Sequence, residues 1–126
     1  MNKELIFLKD EKSGDIFEKI VNNEVEAAVS GLTVLNANST DAAGEKHVPV
    51  IEVSGNKVCV KVGSVAHPMT DAHHIAFVVL VTEKGVQRVD LAHDAEPVAE
   101  FALQDGDKVV AAYEYCNLHG LWVAKA

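Results

Sequence analysis

Cysteine is scarce in this chain of 126 residues, with only Cys59 and Cys116 present. Two thiols cannot build a disulfide framework, and in a reducing compartment they stay free or hold metal. Long apolar runs are also missing. The longest, Ile75 to Val81, falls far short of the roughly 20 residues that a membrane-crossing helix needs. Positive charge is in deficit: 11 Lys and Arg stand against 19 Asp and Glu, for a net charge of −8. That balance lacks the basic stripe with which proteins hold nucleic acid. Neither a nucleic-acid nor a membrane partner is expected. Met1 to Leu8 has a brief apolar run, then charges, and no small-residue cleavage site. It does not read as a signal peptide, so a cytoplasmic protein is the expectation. Asn38-Ser39-Thr40 fits the glycosylation pattern, which without a secretion signal is coincidence.

What is abundant is Val, Ile and Ala in short segments between Gly, Asn and Asp turns, a β-rich pattern. Residues 4–8, 15–20 and 24–30 read as three short strands, and Asn36 to Gly44 as a polar connector. A boundary near residue 37 separates a small N-terminal module, 1–36, from a main domain, 37–126. In the main domain, Val48–Val53 and Lys57–Val62 flank the turn Ser54-Gly55-Asn56 and predict a hairpin. Its Val58, Val60 and Val62 share one face, with Cys59 and Lys61 on the other. Ile75–Thr82 is apolar nearly throughout, as in a strand covered on both faces. Val86–Leu91, Val98–Leu103 and Lys108–Tyr115 follow. With no convincing long helix, the chain predicts an all-β fold: a seven-stranded, immunoglobulin-like antiparallel β-sandwich carrying a small N-terminal β module.

The chemistry sits in histidine. There are six, at 47, 67, 73, 74, 93 and 119. Cys116 and His119, three residues apart with Gly120 behind them, can reach one metal from a single turn. The pair alone decides nothing, because a Cys and a His fall this close by chance. His67 and His73 share one loop-like segment, and Pro68 restrains the backbone after the first. His47 follows Glu45 and Lys46, which by themselves could be an ordinary solvated pair. Cys59 is most simply a small strand residue. His74 and His93 have no motif around them and are assigned to structure or solvent.

Taken together, three motifs stand in order. They are Glu45-Lys46-His47-Val48-Pro49-Val50; Val62-Gly63-Ser64-Val65-Ala66-His67-Pro68-Met69, followed by His73 and Ile75; and Glu114-Tyr115-Cys116-Asn117-Leu118-His119-Gly120, followed by Trp122. In order and spacing they resemble the superoxide reductases, the desulfoferrodoxin and neelaredoxin family. The resemblance runs from about Asp41 to Trp122.

The resemblance implies one mononuclear iron per chain, cycling between Fe(2+) and Fe(3+). His47, His67, His73 and His119 would be its equatorial ligands and Cys116 its axial one. It further implies one-electron reduction of superoxide to hydrogen peroxide, with re-reduction by an external electron donor such as a rubredoxin. Lys46 would attract the superoxide anion and organise water, and Glu45 would take the sixth position of the ferric ion. Some family members hold a second iron with N-terminal cysteines. Here the matching positions are Asp10, Ser13, Val29 and Ser30, which leave no thiolate for it. The chain thus resembles the subgroup that keeps the module without its metal, and a dimerisation surface, hence a homodimer, is the expectation for it. Imidazole and a soft thiolate suit iron, and five protein ligands leave a sixth position open. The competing reading is a non-enzymatic β-sandwich whose cluster holds a structural zinc and serves as a binding module. A Cys/His hydrolase is disfavoured, since no third residue is evident to orient the base.

Overall fold

The computed structural model describes residues 4–23 and 29–126. The chain divides into two compact units, one ending at Asn36 and the other running from Ala37 to Ala126. In the first, strands β1 (Phe7–Lys9), β2 (Ile16–Glu18) and β3 (Thr33–Val34) form an antiparallel sheet of order β2-β1-β3. The strand predicted over 24–30 lies, at 24–28, outside the described residues. The β1–β2 turn is closed by its side chains. Asp10 Oδ1 accepts the Lys12 N–H at 2.9 Å and the Ser13 N–H at 3.3 Å, and Ser13 Oγ accepts the Asp15 N–H at 3.1 Å. Asp and Ser favour such local bonds to the backbone.

The second unit opens with one helical turn, α1 (Gly44–His47). Then come β4 (Pro49–Ser54), β5 (Lys57–Val62), β6 (Ile75–Thr82), β7 (Val86–Asp90), β8 (Val98–Ala102), β9 (Val109–Cys116) and β10 (Gly120–Lys125). All pairings are antiparallel, in a sheet of order β10-β9-β6-β7 and a sheet of order β4-β5-β8. Val58, Val60, Val62 and Phe101 of the smaller sheet enclose one core with Ile75, Val78, Leu80, Ala112 and Cys116 of the larger. The alternation expected for β5 holds, with Val58, Val60 and Val62 inside and Lys61 exposed. β6 is buried along most of its length.

Strand β10 was not expected from the sequence. It pairs with β9 from Gly120↔Cys116 to Lys125↔Ala111, so the Cys116–Gly120 motif is a tight β-hairpin turn. Gly120 has φ +80°, a conformation that hairpin turns of this length use and that side chains with a Cβ resist. The connector is also more ordered than its composition implies. Asn38 donates to and accepts from the backbone of β10, bonding Leu121 and Val123 at 2.8 to 3.1 Å. The outer edge of β10 is thereby paired, as edge strands require.

Glu114 is an exception in the sandwich. It lies two residues before Cys116 on β9, is fully buried, and neither carboxylate oxygen has a hydrogen-bond partner among the described residues. Burial pushes its carboxyl from the ordinary 4.5 up to about 9. Between those two pH values the folded chain holds a proton that the unfolded chain has lost, so stability falls as pH rises. Glu114→Gln should therefore be more stable than the parent at pH 8, with the difference shrinking towards pH 4.5. Urea melts across that range check it; a difference independent of pH would mean that the carboxyl is ionised in the fold.

Candidate metal centre

His47 closes α1, and the next residues lead into β4. His67 and His73 stand on the segment between β5 and β6, Cys116 ends β9, and His119 lies in the β9–β10 turn. These residues are far apart in sequence, yet one nitrogen from each His and the Cys116 sulfur all fall within 4.8 Å of one another. The imidazoles form a closed ring. Neighbouring centroids are 4.7 Å (His47–His67), 4.6 Å (His67–His73), 5.0 Å (His73–His119) and 4.9 Å (His119–His47) apart. Their interplanar angles lie between 77° and 89°. Across the ring, His47 and His73 are 6.5 Å apart. Four side chains at the corners of a near-square surround one point.

The donor set fits a cation there. His47 Nδ1 bonds the Ala43 carbonyl and His67 Nδ1 bonds the Pro68 carbonyl, each at 2.7 Å. A carbonyl only accepts, so Nδ1 carries the proton in both rings and Nε2 is left with a bare lone pair. Those two Nε2 atoms face each other at 3.2 Å, and His47 Nε2 also lies 3.1 Å from His119 Nδ1. His73 Nε2 is buried without a hydrogen-bond partner among the described residues. Bare nitrogens in such proximity repel unless a positive charge lies among them. Holding the second ring nitrogen on a carbonyl is also how metal-binding histidines are oriented.

Protonation is suppressed as well. Burial lowers His67 from 6.5 to about 4, and burial first, then neighbouring charge, lowers His47 and His73. Neutral imidazoles are the form a metal requires. Burial pushes the Cys116 thiol up, against the pull of the Leu118 and His119 N–H groups directed at its sulfur. Those donors favour the thiolate once a cation offsets the burial.

Glu45 and Lys46 are exposed on α1, beside buried His47. Their backbone presses on Gly63, where an added Cβ would lie 2.5 Å from the Glu45 oxygen. Glu45 O also accepts the Val65 N–H at 2.8 Å. The first two motifs thus meet through their main chains, a contact that nothing in the residues signals beyond the glycine itself. Trp122 also matters more than its place in a motif suggested. Its ring stacks on His47 at 4.9 Å, and its Nε1–H donates to the His119 carbonyl at 3.1 Å. His74 and His93 lie outside the ring of four; His74 Nδ1 bonds the Thr70 and Asp71 carbonyls. Cys59 sits between Glu52 and Glu100 on the smaller sheet, apart from the cluster.

An antiparallel β-sandwich with one sulfur and four imidazole nitrogens around a point defines a class: mononuclear, non-haem metal proteins of the redox kind. The Desulfoferrodoxin family matches residues 39–125, and the chain belongs to that family. It is 43% identical over 124 residues to the desulfoferrodoxin of Syntrophotalea carbinolica, covering 97% of each chain. A superoxide reductase of Pyrococcus horikoshii is 41% identical over 101 residues, 67% of this chain and 88% of that one. Among solved structures, the superoxide reductase from Treponema pallidum superposes with a TM-score of 0.80 at 44% identity, over 98% of this chain and all of that one.

The titration of His67 has a measurable consequence. In metal-free protein, the unfolded chain takes up a proton at this site near pH 6.5 while the folded chain resists until about 4. Stability should fall as pH drops through that window. His67→Gln should flatten the fall, as followed by thermal melts of the metal-free proteins.

Proposed function

We propose that this protein is a superoxide reductase, which reduces superoxide by one electron, with two protons, to hydrogen peroxide and is re-reduced by an external donor. The observation that carries the reading is the near-square of four imidazoles with one thiolate sulfur beside it, in a member of the desulfoferrodoxin family. His47, His67, His73 and His119 would hold the iron through nitrogen and Cys116 through sulfur. When bound, the iron supplies the single electron, passing between Fe(2+) and Fe(3+). A square of donors is foreign to the tetrahedral sites in which zinc is usually held for structure, which favours iron and redox chemistry over a zinc binding module.

The chain's own groups prepare the encounter. Superoxide is an anion and the chain carries a net charge of −8, so attraction must be local. Lys46 is an exposed ammonium next to His47, and its charge is among the lesser causes that lower both His47 and His73. It faces the cluster electrostatically, and we assign it the steering of the anion and the ordering of water for proton delivery. Glu45, exposed on the same turn, is assigned the capping of the site after the electron has left. Burial of Cys116 in the sandwich core, beside Ile75 across the β6–β9 ladder, keeps water from the soft donor.

The N-terminal unit is read as the module of the subgroup that has lost its iron, residues 1–36, and the sandwich, 37–126, as the domain that carries the site. Asp10 and Ser13, standing where ligands would be, close their turn by hydrogen bonds instead. Phe17, Ile20 and Val21 are exposed on the module, and apolar side chains left in water support a homodimer formed through it. A small rubredoxin-like protein is the proposed donor, and the cytoplasm the proposed location. No helix among the described residues is long and apolar enough to cross a membrane.

The central test is to purify the protein, count iron, and mix the ferrous form with superoxide. About one iron per chain and its oxidation by superoxide are expected; zinc alone, or ferrous protein inert to superoxide, would refute the reading. Cys116→Ser should abolish the visible thiolate-to-ferric absorption, and a retained band would remove Cys116 from the ligand set. Lys46→Ala should lower the second-order rate and weaken its dependence on salt; pulse radiolysis at several ionic strengths measures both.

A further inference from the structure

Three of the four imidazoles are held at or near the ring. His47 and His67 each bond a carbonyl through Nδ1, and His47 also stacks on Trp122. His119 sits in the tight turn, its carbonyl bonded by Trp122. His73 differs. Among the described residues its ring has no carbonyl partner, and its Nε2 is bare. Beyond its edge contacts with the His67 and His119 rings, its aim is set by hydrogen bonds to the main chain around it.

Thr70 holds that main chain from one side. Its N–H donates to the His73 carbonyl at 2.9 Å, and its Oγ1 accepts the His73 N–H at 3.0 Å. Asn117 holds it from the other. The Asn117 side chain accepts the His74 N–H at 2.9 Å and donates to the Ala72 carbonyl at 3.0 Å. The Asn117 N–H donates to the His74 carbonyl at 3.2 Å. Both neighbours of His73 are thus bonded to one residue, and that residue lies between Cys116 and His119. The last pair of the β6–β9 ladder is Ile75↔Cys116; beyond it the Asn117 amide continues the ladder onto the loop. A primary amide offers an acceptor and a donor on one plane, which this bridge needs and which Ala or Asp lacks.

Resting on the reading of these five residues as an iron centre, we propose that Asn117 is a positioning residue that keeps His73 in the donor set and so selects iron over zinc. Without His73 the cluster offers His47, His67, His119 and Cys116. Three imidazoles and a thiolate make a four-donor set of the kind zinc takes. With His73 there are five donors, four of them in a near-square, which tetrahedral zinc does not use. The amide therefore decides between two coordination numbers without touching the metal.

The test uses the full-length protein, its Asn117→Ala variant and His73→Ala. Metal-free samples are given equal ferrous iron and zinc without oxygen, and bound metal is counted. The Fe:Zn ratio of Asn117→Ala should fall by roughly tenfold or more, as losses of outer hydrogen bonds do to metal affinity. Loaded with cobalt(II), Asn117→Ala should show the visible spectrum of His73→Ala rather than that of the parent, since the spectrum reports coordination geometry. An unchanged Fe:Zn ratio together with a parental cobalt spectrum would overturn the proposal. Should Asn117→Ala not fold, Asn117→Asp carries the same two readouts, because it keeps the acceptor for His74 and loses the donor to Ala72. If the parent itself takes only zinc and is inert to superoxide, the functional reading fails. The cobalt comparison still judges the clamp in that case.

Discussion

Two bare imidazole nitrogens facing each other at 3.2 Å are the constraint on which the rest of the structure turns. Left alone they repel, and water cannot fit between them at that separation. The fold imposes the arrangement anyway. Ala43 and Pro68 hold the protons on the far side of His47 and His67, and burial keeps those rings neutral. What the fold spends in lone-pair repulsion is recovered when a cation enters, so metal binding and stability are coupled.

The sandwich makes that imposition possible because its strands end where the donors are needed. Cys116 is both the last residue of β9 and part of the apolar core, so its sulfur is anchored by packing. His119 is placed by a hairpin turn that Gly120 permits. His47 and the His67 segment are brought together by backbone contact between Glu45 and Gly63, with no room for a side chain between them. Rigid strands with donors on their connecting loops combine a preorganised centre with an approach open to solvent.

Charge is organised on two scales. The whole chain is acidic, which discourages nucleic acid and does nothing to attract an anion. Beside the centre, exposed Glu45 and Lys46 place one charge of each sign next to His47, while buried Glu114, close to Cys116 in sequence, stays protonated over a wide pH range. A carboxyl kept neutral adds no negative charge near the thiolate, which an ionised one would oppose.

Much of this was legible in the residues. Alternating Val in β5, the apolar run of β6 and the Gly-centred turns predicted an antiparallel all-β fold, because strand periodicity is local information. The five residues of the centre were named through their motifs, and the geometry brings those same five together. Strand β10 was missed because its few residues follow a turn that reads as the end of the domain. The roles of Trp122, Gly63 and Asn117 escaped as well, since each acts on residues distant in the chain: Trp122 on His47, Gly63 on Glu45, Asn117 on Ala72 and His74. The sequence by itself determined the residue types of the five clustered side chains and most of the strands whose connecting segments carry them. Only the tertiary structure decided that four imidazoles stand in a near-square with His47 and His67 turning bare nitrogens inward, because that depends on which carbonyls, rings and amides folding places around each donor.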